Sequence, residues 1–204
     1  MQRIPATVGD WIAEVASART EAPAIIGIDG RLLSYADLSD RLRLAGGALR
    51  DVGVRPGDPV MIATPDGPDT LVAILAASSV GAAFPVGARE QIDKYIGLLD
   101  EIDVKAILCA DRLHDRLAGE AGRRNIPIAP IVADANQPVG SFRLDFQGPP
   151  ARQGGPVRRA TLADTAILIA TSGTTARSKI VASSHASLFA SIAHCAEWLA
   201  LGEG

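Results

Sequence analysis

Aromatic side chains are scarce, at 4% of 204 residues. So few rings give no platform on which nucleic-acid bases could stack. Net charge is small as well, −3 at pH 7, so nothing draws the chain toward nucleic acid or an anionic membrane surface. Cysteine occurs twice, at Cys109 and Cys195. Both stand in apolar stretches, and they form neither a C-x-x-C pair nor a disulfide framework. Buried, reduced thiols in a cytoplasmic protein are the expectation. Residues 1–5 contain no apolar signal core.

An unbroken apolar run of spanning length is also missing. Residues 71–88 are apolar or small, but Ser78, Ser79, Gly81 and Pro85 interrupt them. A buried helix followed by a buried strand is expected there, with no membrane insertion.

Other absences narrow the chemistry. Without a G-x-S-x-G elbow the serine-hydrolase reading has no support. His185, His194 and Cys195 lack the spacing of a metal site. Asp93, Asp100, Glu101 and Asp103 read as the wet face and end of a helix, not as an acid–base pair. His114 falls on the polar side of a surface helix, where solvation is expected. Arg158 and Arg159 read as a solvated charge pair on a loop, with phosphate contact as the competing reading.

What is present is a chain 48% hydrophobic, long enough to bury one good-sized core. Thr7-Val8-Gly9-Asp10 and Ser34-Tyr35-Ala36-Asp37 both carry the S/T-x-x-D/E helix-start signal. Between the helices they open, Asp29-Gly30 links two apolar runs and predicts a hairpin with a two-residue turn. Strand and helix then alternate. Strands are expected at 59–64, 82–86, 105–109 and 126–132, with helices at 68–80, around Ile92 to Leu99, and around Leu113 to Ala121. This alternation predicts an α/β fold, a mostly parallel sheet flanked by helices. Residues 136–160 read as loop-rich, with an apolar cluster around Phe142, Leu144 and Phe146 and room for one edge strand. A strand at 166–170, a short strand at 180–182 and a helix starting near His185 close the chain.

The most informative run is Thr171-Ser172-Gly173-Thr174-Thr175-Ala176-Arg177-Ser178-Lys179. A strand opening into hydroxyls, a glycine and a lysine can turn several main-chain N–H groups inward around an anion. The hydroxyls add donors and Lys179 adds a mobile positive charge. That equipment suits a polyphosphate. It is not a Walker A loop, because Ser178 precedes Lys179 and Ile180 follows it. The plain alternative is a polar surface loop between two strands.

The run resembles the phosphate loop of the adenylate-forming (AMP-binding) superfamily. That superfamily includes acyl-CoA synthetases, luciferases and the adenylation domains of peptide synthetases. Its pattern reads S/T-S-G-S/T-T-G-x-P-K-G-V. This chain matches at Thr171, Ser172, Gly173, Thr174, Thr175, Lys179 and Val181. It departs at Ala176, Ser178 and Ile180. The loss of two glycines removes freedom at φ > 0. Leu33 to Leu38, Leu75 to Val86 and Ile92 to Ile107 resemble earlier family stretches in the same order, so the resemblance covers nearly the whole chain.

The resemblance implies an acid–thiol ligase. ATP and a small carboxylic acid give an acyl-adenylate and pyrophosphate. A thiol acceptor, coenzyme A or a carrier-bound pantetheine, then takes the acyl group. It implies that Thr171, Ser172, Gly173, Thr174, Thr175 and Lys179 bind the nucleotide phosphates. For His185 it suggests a place near the carboxylate, with a helix-start residue as the other reading. Longer members carry a magnesium-holding acidic residue, a ribose-binding aspartate and a C-terminal catalytic lysine, and nothing here matches these. Residues 1–204 therefore read as one incomplete α/β domain, with Mg²⁺ held outside this chain, no catalytic residue within it, and no acyl-adenylate formed by it alone. A non-catalytic binding module of the same fold, and an unrelated α/β domain with a mimicking loop, are the alternatives.

Overall fold

Two side-chain caps start the chain. In the computed structural model, which describes residues 5–87, 92–134, 136–150, 158–171 and 179–200, Thr7 caps helix α1 (Val8–Ala18). Its hydroxyl accepts the Asp10 N–H at 3.1 Å, and the Asp10 carboxylate accepts the Thr7 N–H at 3.2 Å. This reciprocal pair satisfies two N–H groups that the helix itself leaves open. Ser34 caps α2 (Tyr35–Asp51), its hydroxyl accepting the Asp37 N–H at 3.1 Å and donating to the Asp37 carboxylate at 2.8 Å.

Strands β1 (Pro23–Ile26) and β2 (Leu32–Ser34) form the expected antiparallel hairpin. Its turn is longer than the two residues predicted. The Gly27 N–H donates to the Arg31 carbonyl at 2.8 Å, and Gly30 takes φ 81°. The Asp29 carboxylate accepts the Arg31 N–H and Nε. An aspartate that satisfies the backbone two residues on competes with ladder pairing, so the strands stop early.

The chain then builds β3 (Pro59–Ala63), α3 (Pro68–Val80), β4 (Ala82–Pro85), α4 (Ile92–Ile96), β5 (Ala106–Ala110), α5 (Asp111–Arg124), β6 (Ile128–Ile131), β7 (Thr165–Thr171), β8 (Lys179–Ser184) and α6 (His185–Trp198). Among the described residues six strands form one sheet in the order β6-β5-β3-β4-β7-β8. Every neighbouring pair is parallel except β7 with β8. The fold is α/β with a mostly parallel sheet between helices.

Strand alternation divides the core. Val60 and Ile62 face one way, toward Leu49, Ala73 and Ala77 of α2 and α3. Met61 and Ala63 face the other, toward Leu113 and Leu117 of α5. A parallel sheet covered on both faces needs such continuous apolar strands. Helix α3 is apolar nearly all round because it lies between the sheet and α2, where Val72 and Ala76 meet Leu38 and Leu42. Gly81, which ends α3, leaves no room for a side chain: a Cβ there would sit 2.6 Å from the Asp58 carbonyl oxygen.

Three expectations need correction. Phe142, Leu144 and Phe146 do pack, half-buried, on the core, but the described part of 136–160 contributes only an isolated bridge between Ile128 and Gln147. Apolar anchoring without a second laddered strand is enough to hold it. Cys109 is buried as expected, whereas Cys195 is exposed, because it falls on the uncovered side of α6. His114 is not solvated: its side chain is 15% exposed, and Nε2 is buried without a hydrogen-bond partner among the described residues. Among the described residues no helix is long and apolar enough to cross a membrane.

Candidate functional site at the β7–β8 hairpin

Parallel strands point their C-terminal ends to one edge, and α/β sheets bind ligands at that edge. Strand β7 ends there at Thr171. Strand β8 returns from it antiparallel, and its first residue, Lys179, is the register partner of Thr171. The Thr171 hydroxyl donates to the Lys179 carbonyl at 3.2 Å. Directly opposed residues of an antiparallel pair have Cα atoms about 4.5–5.5 Å apart. The candidate phosphate loop therefore has its two ends clamped side by side. Ser172, Gly173, Thr174 and Thr175, together with Ala176, Arg177 and Ser178, lie outside the described residues.

The faces of the hairpin differ. Ala170 and Ile180 pair with each other and pack on the α4–α5 side of the core. Ile169 and Val181, the next pair, are 47% and 48% exposed. By the two-residue period of strands, Thr171 and Lys179 share that open face. Lys179 is exposed, so its ammonium stands in water at the rim of the sheet.

The base of the hairpin is held by Asp164, a residue that sequence reasoning misses. Its carboxylate takes both Nη atoms of Arg158. It also accepts the Thr161 N–H at 2.7 Å and the Thr161 hydroxyl at 3.0 Å. Its carbonyl oxygen accepts the His185 N–H at 3.1 Å. The Arg158 guanidinium holds the Asp164 carboxyl far below the usual carboxylate range. A signal exists: Thr161-Leu162-Ala163-Asp164 repeats the T-x-x-D spacing that marks the cap at Thr7. Arg158 is thus paired, and it stands at the N-terminal end of β7, away from the loop.

His185 lies at that same far end. Five strand steps separate Ser184 from Lys179, roughly 17 Å at the usual rise. The ring is 1% exposed and tilts against Phe189 at a centroid distance of 6.2 Å, while Phe189 meets Trp11 of α1 edge-on at 5.4 Å. Its Nδ1 is buried without a partner among the described residues. Burial pushes its pKa down, against the pull of Asp164 and Asp10. His185 thus opens α6 from a buried position, remote from Lys179 along β8. Among the described residues no three His, Cys, Asp or Glu side chains gather closely enough to hold a metal ion.

The family model described as AMP-binding enzyme matches residues 12–203. Fatty acid–[acyl-carrier-protein] ligase MmaC of Mycobacterium marinum is 29% identical over 198 residues, 93% of this chain and 35% of the ligase. Phenyloxazoline synthase MbtB of Mycobacterium sp. (strain MCS) is 35% identical over 104 residues, 50% of this chain and 9% of the synthase. The crystal structure of ATP-bound MatB from Rhodopseudomonas palustris superposes with a TM-score of 0.74 at 21% identity, over 95% of this chain and 38% of MatB. At that identity the likeness concerns the fold. The chain spans well under half the length of each of these relatives.

Proposed function

The chain belongs to the AMP-binding enzyme family, and we propose that it forms the ATP-phosphate-binding portion of an acid–thiol ligase. In this reading the ligase activates a small carboxylic acid as its acyl-adenylate. It then passes the acyl group to a thiol, coenzyme A or carrier-bound pantetheine. The carrier-protein ligase among the relatives supports the thiol acceptor. The observation that carries the proposal is the opposed pair Thr171 and Lys179, which closes a hydroxyl-rich run at the ligand-binding edge of the sheet.

Attack of the carboxylate on the α-phosphate moves negative charge onto the departing pyrophosphate. Lys179, the hydroxyls of Thr171, Ser172, Thr174 and Thr175, and main-chain N–H groups around Gly173 are the groups assigned to stabilise that charge. Magnesium supplies further charge neutralisation when bound, with its protein ligand assigned outside this chain.

Binding of ATP to the 204-residue chain, followed calorimetrically, tests the assignment. Saturable binding is expected, weakened about tenfold or more in Lys179→Ala by loss of a charge-assisted contact. Equal affinity in the variant, or no binding by either, would overturn it. Pyrophosphate exchange by the same chain is expected to stay at the level of that variant, because ribose and magnesium contacts are assigned elsewhere. Exchange clearly above that level would refute the inactivity of the isolated chain.

A further inference from the structure

A second place suited to an anion lies at the other end of the sheet. An open cleft of about 430 Å³ is bounded by α1, α2, the end of α3 and the segment leading into β7. That volume falls in the range of small-molecule sites. Small residues, Gly9, Ser39 and Ser79 among them, help to line it. Its walls carry Arg43, Arg50, Arg158 and Arg159 against a single acid, Asp10. A chain of net charge −3 thus concentrates guanidinium groups in one hollow.

Not all of these charges are available. The Asp10 carboxylate is occupied by the N–H groups of Ala6 and Thr7. Arg43 stands 3.4 Å from Asp40. Arg158 is gripped by Asp164, and it also donates to the carbonyls of Arg159 at 3.2 Å and Pro56 at 3.4 Å. The side chains of Arg50 and Arg159 have no ion pair or hydrogen bond among the described residues. Among the described residues nothing neutralises these two planar forks on one cleft.

We propose that this cleft binds a phosphate-bearing small molecule, with the phosphate taken by Arg50 and Arg159. Two such guanidinium groups balance one phosphate dianion, and each fork matches two phosphate oxygens. Arg158, fixed by Asp164, adds field at the same mouth. The small lining residues leave space for the organic part of the ligand, and Leu42, Val54 and Val80 offer it apolar cover. The site is separate from the nucleotide loop, since the length of β7, roughly 20 Å, lies between them.

Titration of the 204-residue chain with inorganic phosphate at low ionic strength, read by backbone amide NMR shifts, tests this. Saturable shifts are expected at Gly9, Ser39, Ser79 and Ala160, with acetate producing little change. They should weaken as salt screens the charges. Phenyl phosphate should bind more tightly than phosphate, because its ring finds cover in the cleft. The double variant Arg50→Gln/Arg159→Gln should lose about tenfold or more in affinity, with unchanged shifts elsewhere showing an intact fold. Absent shifts, or shifts that survive in the double variant, would each overturn the site. Equal affinity for phosphate and phenyl phosphate would overturn the organic ligand.

Discussion

Arg158 and Asp164 hold each other through two parallel hydrogen bonds, just ahead of β7. The same carboxylate gathers the Thr161 turn, and the backbone beside it takes the first N–H of α6. One acid therefore joins the start of β7, the start of α6 and the loop before β3, which Arg158 reaches through the Pro56 carbonyl. Asp164→Asn is expected to lower the melting temperature at pH 7. The folded-state pKa lies below the ordinary 3.8, so this stabilisation is complete above 3.8 and drains away as pH falls beneath it. The difference in melting temperature between parent and variant should shrink steadily as pH falls below 3.8. A constant difference across that range would contradict the assignment.

His185 predicts a pH dependence in the neutral range. Its pKa is depressed by burial from the ordinary 6.5. The unfolded chain then binds a proton more readily than the folded one, and stability declines as pH falls through 6.5. Urea unfolding between pH 7.5 and 5.5 should show this decline, and His185→Gln should flatten it. An unchanged slope in the variant would assign the effect elsewhere.

The two thiols should react very differently. Cys109 is fully buried, and burial pushes its pKa up to about 12. Cys195 is exposed. Thiolate is the reactive form, so iodoacetamide should label the native chain at Cys195 alone, with Cys109 joining only in denaturant. Peptide mapping reads the outcome directly, and native labelling of Cys109 would count against the packing of β5.

Gly81→Ala should destabilise by about 1–3 kcal/mol through overpacking. The added methyl would meet the Asp58 carbonyl oxygen at 2.6 Å and Val54 Cγ1 at 2.9 Å. Crowding is the cause, because the Gly81 φ of −141° lies outside the left-handed region that favours glycine. Chemical denaturation of the variant measures the shift, and an unchanged midpoint would show that the turn can open.

Much of this architecture was legible because local and global signals agree. Pro68 begins α3 and Gly81 ends it, so its bounds could be read directly. Thr7 and Ser34 cap helices through bonds that span three residues, within reach of sequence reasoning. Less legible features depend on what packs from a distance. The exposure of Cys195 reflects which side of α6 is covered. The partial burial of His114 arises the same way, from neighbours rather than from spacing. Ile180 stands where the family pattern has glycine. Here it is a strand residue paired with Ala170 and packed on the core, an environment that a motif comparison does not contain.

The pairing of β7 with β8 has a consequence for aim. Slipping one strand past the other by a single residue would exchange inner and outer positions along β8. Lys179 would turn inward and Ile180 outward. An ammonium would then press on hydrocarbon, a strongly unfavourable arrangement. The direction of that charge is thus guarded by the oily residues beside it, and the parity of a ladder decides which way a cation faces.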